Sequence, residues 1–88
     1  MSSDPPMKRL AAELIGRLLS DGRIELARSH KDPEFLEDLA EHLGALVGKP
    51  GPGALLAAWL ADHAAIEEVY ATDEELEQTL QAAVAAVK

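Results

Sequence analysis

The chain repeats its apolar pattern once, at a shift of 41 positions that superposes Leu14 on Leu55. Few of the superposed residues are identical, but the apolar positions stay in phase along both segments, residues 14–43 and 55–84. A repeat of this length is typical of folds in which one supersecondary unit occurs more than once. The pattern predicts two copies of a helix–connector–helix hairpin. Any two amphipathic helices can also be aligned in phase, so a true duplication of the chain stays an open question.

A Gly/Pro segment divides the chain close to its middle. Residues 48–53 alternate Gly with Lys or Pro, and such a segment neither continues a helix nor pairs regularly in a sheet. The total length of 88 residues is that of one domain. We therefore expect a single helical domain over residues 1–88, with a hairpin at 5–47, the linker at 48–53 and a second hairpin at 54–87.

Both helices of the first hairpin begin with an Asp–Pro pair. Asp4 and Asp32 can accept hydrogen bonds from the free N–H groups of a helix start, where Pro is also tolerated. Apolar residues then recur at helical spacing. The first stripe comprises Met7, Leu10, Leu14, Ile15, Leu18 and Leu19, and the second comprises Phe35, Leu36, Leu39, Leu43, Leu46 and Val47.

The connectors leave alternatives open. Gly22 is expected to end the first helix in the left-handed conformation. Residues 23–26 then alternate polar and apolar side chains, which favours a short extended segment, although a helical turn over residues 23–28 is the alternative. In the second half, apolar spacing favours one helix from about residue 54 to residue 70, whereas the repeat would break it near residues 62–65.

A capping box marks the start of the last helix. Thr72 can cap this helix while the side chain of Glu75 reaches back to the Thr72 N–H group. The expected buried stripes of the second hairpin are Leu55, Leu56, Trp59 and Leu60, followed by Leu76, Leu80, Ala83, Val84 and Val87. The predicted fold is therefore all-α, a compact four-helix bundle built from two helical hairpins, with the short extended segment near residues 23–28 as an option.

The charges are unevenly distributed. The formal net charge is −8, and residues 32–88 hold twelve acids against two bases. An acidic surface repels phosphate backbones and anionic lipids, so nucleic acid and membranes are not expected partners. The longest strongly apolar stretch, residues 54–61, is far too short to span a bilayer. Together with the absence of Cys, this favours a cytoplasmic location. The acids serve either solubility alone or pairing with positive charge.

The sequence shows no recognisable pattern of catalytic, phosphate-binding or metal-binding residues. The segment from Gly44 to Pro50 resembles a phosphate-binding loop, but it is one residue short and has Pro where the metal-binding hydroxyl belongs. His42 and His63 lack the Glu-x-x-His spacing of dimetal bundles. Ser29 and His30 are adjacent, which seldom permits productive alignment. We therefore predict no catalytic residue, no cofactor, no metal site and no enzymatic activity.

The expected function is that of a small acidic protein–protein interaction module, with an adaptor or regulatory role. Its partner is expected to be a basic or amphipathic protein. Two alternatives stay open: an acidic inhibitor of the immunity or antitoxin kind, and a structural protein that associates with itself, for example as a homodimer. The candidate partner-binding residues surround the last helix start and are Glu67, Glu68, Tyr70, Asp73, Glu74, Glu75 and Glu77.

Overall fold

A computed structural model of the chain describes residues 5–27, 32–46 and 49–87. Within these residues the chain is mostly helical and compact, with four helices and two short strands. In chain order the elements are α1 (Pro5–Ser20), β1 (Ile24–Leu26), α2 (Pro33–Leu46), α3 (Pro52–Asp62), β2 (Ile66–Val69) and α4 (Asp73–Val87). The predicted cap at Asp4, the stripe residue Val47 and position 28 lie outside the described residues.

Each half of the chain has the same order of elements, namely helix, strand and helix. The two strands pair with each other in an antiparallel sheet, so they join the first half to the second. The register places Ile24 opposite Val69, Glu25 opposite Glu68 and Leu26 opposite Ile66. The prediction of an extended segment near residues 23–28 is therefore confirmed for Ile24–Leu26. The all-α prediction is wrong in this respect, because it provided no second strand.

The favoured helix over residues 54–70 is also wrong. The α3 helix ends at Asp62, His63 is extended, and β2 follows. The prediction failed because β2 contains a β-bulge. Glu25 pairs with Glu68 and Leu26 with Ile66, which leaves Glu67 as an extra residue. The bulge separates the inward-facing Ile66 and Val69 by three positions instead of two. That spacing also matches a helix, so the apolar pattern could not distinguish a bulged strand from a helix.

The start of α3 also differs from the prediction. This helix begins at Pro52, inside the predicted linker, after Gly51 in the left-handed conformation with a φ of 65°. Gly53 is buried in the first turn, where it meets the start of α4. The absence of a side chain at position 53 therefore allows the N-terminal ends of the two helices to approach closely.

Buried leucines fill the space between the helices. The α1 helix packs on α2 and on α4, and α3 packs mainly on α4 and β2. The largest fully buried side chains are Phe35, Leu14, Ile15, Leu18, Leu39, Leu43, Leu56, Leu60 and Leu76. Leu55 was expected in this core but is 40% exposed, because the buried face of α3 passes through Gly53, Leu56 and Leu60.

Three predicted helix ends are confirmed by their geometry. Gly22 follows α1 with a positive φ of 69°. The Asp32 carboxylate accepts a hydrogen bond from the Glu34 N–H group at 3.0 Å. Thr72 and Glu75 form the expected reciprocal capping box, with distances of 2.9 and 3.2 Å. Among the described residues, no helix has both the length and the apolar character that crossing a membrane requires.

Candidate functional site

The predicted partner-binding residues lie on β2, on the turn after it and on the first turns of α4. Five of the seven are exposed to solvent: Glu67, Glu68, Tyr70, Asp73 and Glu74. Glu75 and Glu77 are half-buried. The structure therefore divides the predicted group into four exposed acids with Tyr70, and two half-buried acids.

Glu75 and Glu77 contact the protein itself. Glu75 completes the capping box with Thr72 and also lies 3.2 Å from the guanidinium of Arg23. Hydrogen bonds from the Thr72 backbone and hydroxyl, and then the charge of Arg23, lower the pKa of Glu75. The stem of Glu77 lies beside Gly53 at the junction of α3 and α4. We therefore assign Glu75 to the fold, whereas Glu77 contributes its stem to the helix junction.

The sheet carries an unexpected concentration of like charge. Glu25 on β1 lies directly opposite Glu68 on β2, and the bulge presents Glu67 to solvent beside Glu68. Directly opposed like charges destabilise a β ladder. We call this surface the acidic sheet face, formed by Glu25, Glu67 and Glu68 with Tyr70 at its edge.

Tyr70 belongs to this surface through its hydroxyl group. Its side chain is 58% exposed, which is unusual for an aromatic residue of this domain. A hydrogen bond to the Glu25 carboxylate, and then the negative charges of Glu25, Glu68 and Glu67, raise the pKa of Tyr70. The Tyr70 N–H group also donates to the Arg23 carbonyl at 2.7 Å, which fixes the residue at the end of the ladder.

Glu25 is a candidate site residue that sequence reasoning missed. Its alternating neighbourhood predicted a strand, but the sequence contained no indication that this strand would pair with residues 66–69. Asp73 and Glu74 are exposed at the positive end of α4, where carboxylates are favourable for the helix itself. The acids opposed across the sheet therefore differ from those at the helix start, since they repel each other across the ladder.

A second group of polar residues lines an open cleft of about 370 Å³ between α2 and α3. We call it the histidine cleft, and its lining residues are Asp38, Glu41, His42, Trp59 and His63. The ring of Trp59 stacks on that of His42, with centroids 5.1 Å apart, and contacts that of His63 at 4.7 Å. Phe35 closes the inner side of this cluster.

The two imidazoles of the cleft have different environments. Burial lowers the pKa of His42, and the positive charge of Lys49 acts in the same direction, against a backbone hydrogen bond to Leu55 that raises it. His63 instead has a partner at each ring nitrogen, namely the Asp38 carboxylate at 3.3 Å and the Ala65 N–H group at 3.1 Å. Over the described residues, no group of three or more potential ligands is arranged to hold a metal ion.

An apolar groove of about 260 Å³ lies where α1, α2 and α4 meet the start of α3. Its walls include Leu10, Leu46, Leu80 and Val84, with Lys49 at the rim. Apart from Lys49 and Gln81, the lining side chains offer apolar contact alone. We therefore do not treat the groove as a candidate active site.

The structure thus assembles two polar surfaces from residues that are distant in sequence. The acidic sheet face joins residue 25 to residues 67–70, and the histidine cleft joins α2 to the end of α3. Comparison with known proteins finds no family model that matches this chain, and no significant match among curated proteins or solved structures. Function is therefore inferred from the geometry of this chain.

Proposed function

We propose that this protein is a non-enzymatic interaction module whose acidic sheet face binds a basic protein. In this proposal the four helices act as a bundle-like scaffold, built from two helical hairpins, that holds the short sheet in place. The candidate contact residues are Glu25, Glu67, Glu68 and Tyr70. The acids at the start of α4, Asp73 and Glu74, extend the same surface at its border.

The observation that carries this proposal is the direct opposition of Glu25 and Glu68 across the ladder. A pair of like charges in this position weakens the sheet, and a sheet of three and four residues has few other pairs to offset it. A cationic side chain of a partner would lie between the two carboxylates and replace their repulsion with attraction. The free chain is therefore expected to be less stable than its complex.

Tyr70 supports a protein partner in particular. Tyr is enriched among the residues that dominate binding energy at protein interfaces, because it combines an apolar ring with a polar hydroxyl group. The ring is exposed next to the carboxylates. The short strands, the charges and the bulge all disfavour addition of another strand at the sheet edge. We therefore expect the partner to contact the side chains of the face.

The first prediction concerns the stability of the free chain. Replacing Glu68 with Lys converts the repulsion with Glu25 into an opposite-charge pair, so we expect the midpoint of thermal unfolding to rise by about 2–4 °C. The matched control is Glu41→Lys, which makes the same charge change at an exposed position inside α2, away from the sheet and from the helix ends. Circular dichroism at low ionic strength measures both midpoints. An equal or larger rise in the control would contradict the proposed repulsion.

The second prediction concerns binding. The double variant Glu25→Gln with Glu68→Gln should lose about tenfold in affinity for the partner, because it removes the two opposed charges. Glu34→Gln with Glu41→Gln changes the net charge equally at exposed positions on α2 and should bind as the wild type does. The wild type and the two double variants are each immobilised and incubated with a native cell lysate. Retained proteins are identified by mass spectrometry and then titrated in purified form.

Salt provides a further criterion for the same experiment. Binding through exposed charges should weaken as the Debye length falls from about 10 Å at 0.1 M salt to about 3 Å at 1 M. A basic protein retained by the wild type and the α2 control, but not by the sheet variant, is the expected result. Equal retention of the basic protein by all three chains would argue against the acidic sheet face as the binding surface. So would an affinity that does not change with salt concentration.

A further inference from the structure

His63 lies at the joint between the end of α3 and the start of β2. Its ring spans two parts of the fold, since one nitrogen contacts Asp38 on α2 and the other contacts the backbone of the following turn. The side chain is only 20% exposed, so water competes weakly for these contacts. The protonation state of this ring therefore bears on both parts of the structure.

The hydrogen bonds define the tautomer. Ala65 donates its N–H group to Nδ1 at 3.1 Å, so Nδ1 must be an unprotonated acceptor. The remaining ring proton then belongs to Nε2, which donates to the Asp38 carboxylate at 3.3 Å. The arrangement is thus that of a neutral imidazole, with both nitrogens engaged.

A second proton on the ring is incompatible with this turn. It would occupy Nδ1 and point at the Ala65 N–H group, so that one hydrogen bond is lost and two donors face each other. Ala65 is only 1% exposed, which limits its access to water as a replacement acceptor. Its carbonyl also accepts from Ala27 at 2.9 Å, next to the end of β1. Loss of the Ala65 contact would therefore disturb the sheet.

Charged groups of both signs lie around the cleft that His63 lines. On α2, Asp38 and Glu41 attract a positive ring, and His42 across Trp59 adds no positive charge while it is neutral. Asp62 precedes His63 at the end of α3 and is exposed. Lys49 lies near His42 and opposes a second positive charge in the cleft. A protonated His63 would thus strengthen its pairing with Asp38 as it releases Ala65.

We propose that His63 is a pH-sensitive latch, which holds the α3–β2 turn closed as a neutral ring and releases it when protonated in acid. The latch would determine whether β2, the strand that carries Glu67 and Glu68, stays well ordered. A further consequence, which rests on the proposed function, is that acid weakens binding at the acidic sheet face. The latch itself is a property of the free chain and is tested without a partner.

The test uses nuclear magnetic resonance of the free, isotope-labelled chain between about pH 8 and about pH 5, where imidazoles titrate. We expect the His63 Nδ1 resonance to show an unprotonated nitrogen at the higher pH. We expect the protection of the Ala65 amide from hydrogen exchange, corrected for intrinsic rates, to fall about tenfold as this nitrogen gains its proton.

Two variants separate His63 from its neighbour. His63→Gln keeps an oxygen that can accept from Ala65 but does not titrate in this range, so the acid-dependent loss of protection should disappear. His42→Gln removes the other imidazole and should retain the loss. Should His63→Gln not fold, the ring and amide signals of the wild type decide by themselves.

Three results would overturn the latch. They are a proton on Nδ1 at neutral pH, constant protection of Ala65 across the titration, and an acid-dependent loss that persists in His63→Gln. None of them bears on the acidic sheet face, whose binding is measured separately through Glu25 and Glu68. Conversely, if the latch operates but the chain binds no basic protein, only the proposed function is overturned.

Discussion

Replacing Gly53 with Ala should lower the free energy of unfolding by about 3 kcal/mol, at the upper end of the range for overpacked sites. A Cβ atom at this position would overlap the carbonyl oxygen of Asp73 and lie 3.1 Å from the Cβ of Glu77. The obstructing atoms belong to the backbone of α4, which cannot rotate away as a flexible side chain can. Either α3 or α4 must shift, which would disturb the packing between the two helices.

Urea unfolding measured by circular dichroism tests this result, with the midpoint and the slope reported separately. The matched control is Gly44→Ala in α2, where no atom lies within 4 Å of the added Cβ. That substitution should stabilise the chain by about 0.5–1 kcal/mol, because Ala is the better helix former. A Gly53→Ala protein as stable as the Gly44→Ala protein would show that α3 does not meet α4 so closely.

Truncating Leu56 to Ala should lower the free energy of unfolding by about 3 kcal/mol, within the usual range for a buried leucine. Leu56 is fully buried in the core, and its removal leaves a cavity between packed helices. Domains of this size have stabilities of about 4–13 kcal/mol. We therefore expect a fall of about 12–24 °C in the midpoint of thermal unfolding.

The adjacent residue supplies the control. Leu55→Ala makes the same chemical change on the same helix, but Leu55 is 40% exposed and should lose less than about 1 kcal/mol. The pair thus tests the orientation of α3 about its own axis, independently of helix propensity. Equal losses at positions 55 and 56 would place both leucines in the core, as the sequence pattern suggested, and would contradict the orientation seen in the structure.

Local patterns were sufficient to predict most of the helical framework. The apolar stripes of α1 and α2 and the capping box at Thr72 depend on residues within one or two turns of each other, so the chain's own spacing contains the information. The Arg23–Leu26 alternation likewise predicted a strand. The order helix, strand, helix in each half agrees with the repeat better than the continuous third helix that the apolar spacing favoured.

The candidate site depends on contacts between distant residues, which explains why much of it escaped prediction. Sequence analysis selected Glu67, Glu68 and Tyr70 because they are near the last helix start. It did not select Glu25, whose proposed role follows from pairing with a strand more than 40 positions away. His42 and His63 were compared with a metal-site pattern and showed no sign of shared packing, whereas packing of α2 near α3 places both rings against Trp59.

By itself, the sequence determined the apolar stripes of α1 and α2, the positions of most caps and the excess of negative charge in the second half. Each of these is a property of neighbouring residues or of composition. Only the tertiary structure decided where α3 ends, which strand pairs with β1 and which carboxylates face each other. A bulge at Glu67 gives β2 the apolar spacing of a helix, so local spacing alone was ambiguous. Long-range pairing resolves this ambiguity, because the energy of a β ladder comes from the partner strand.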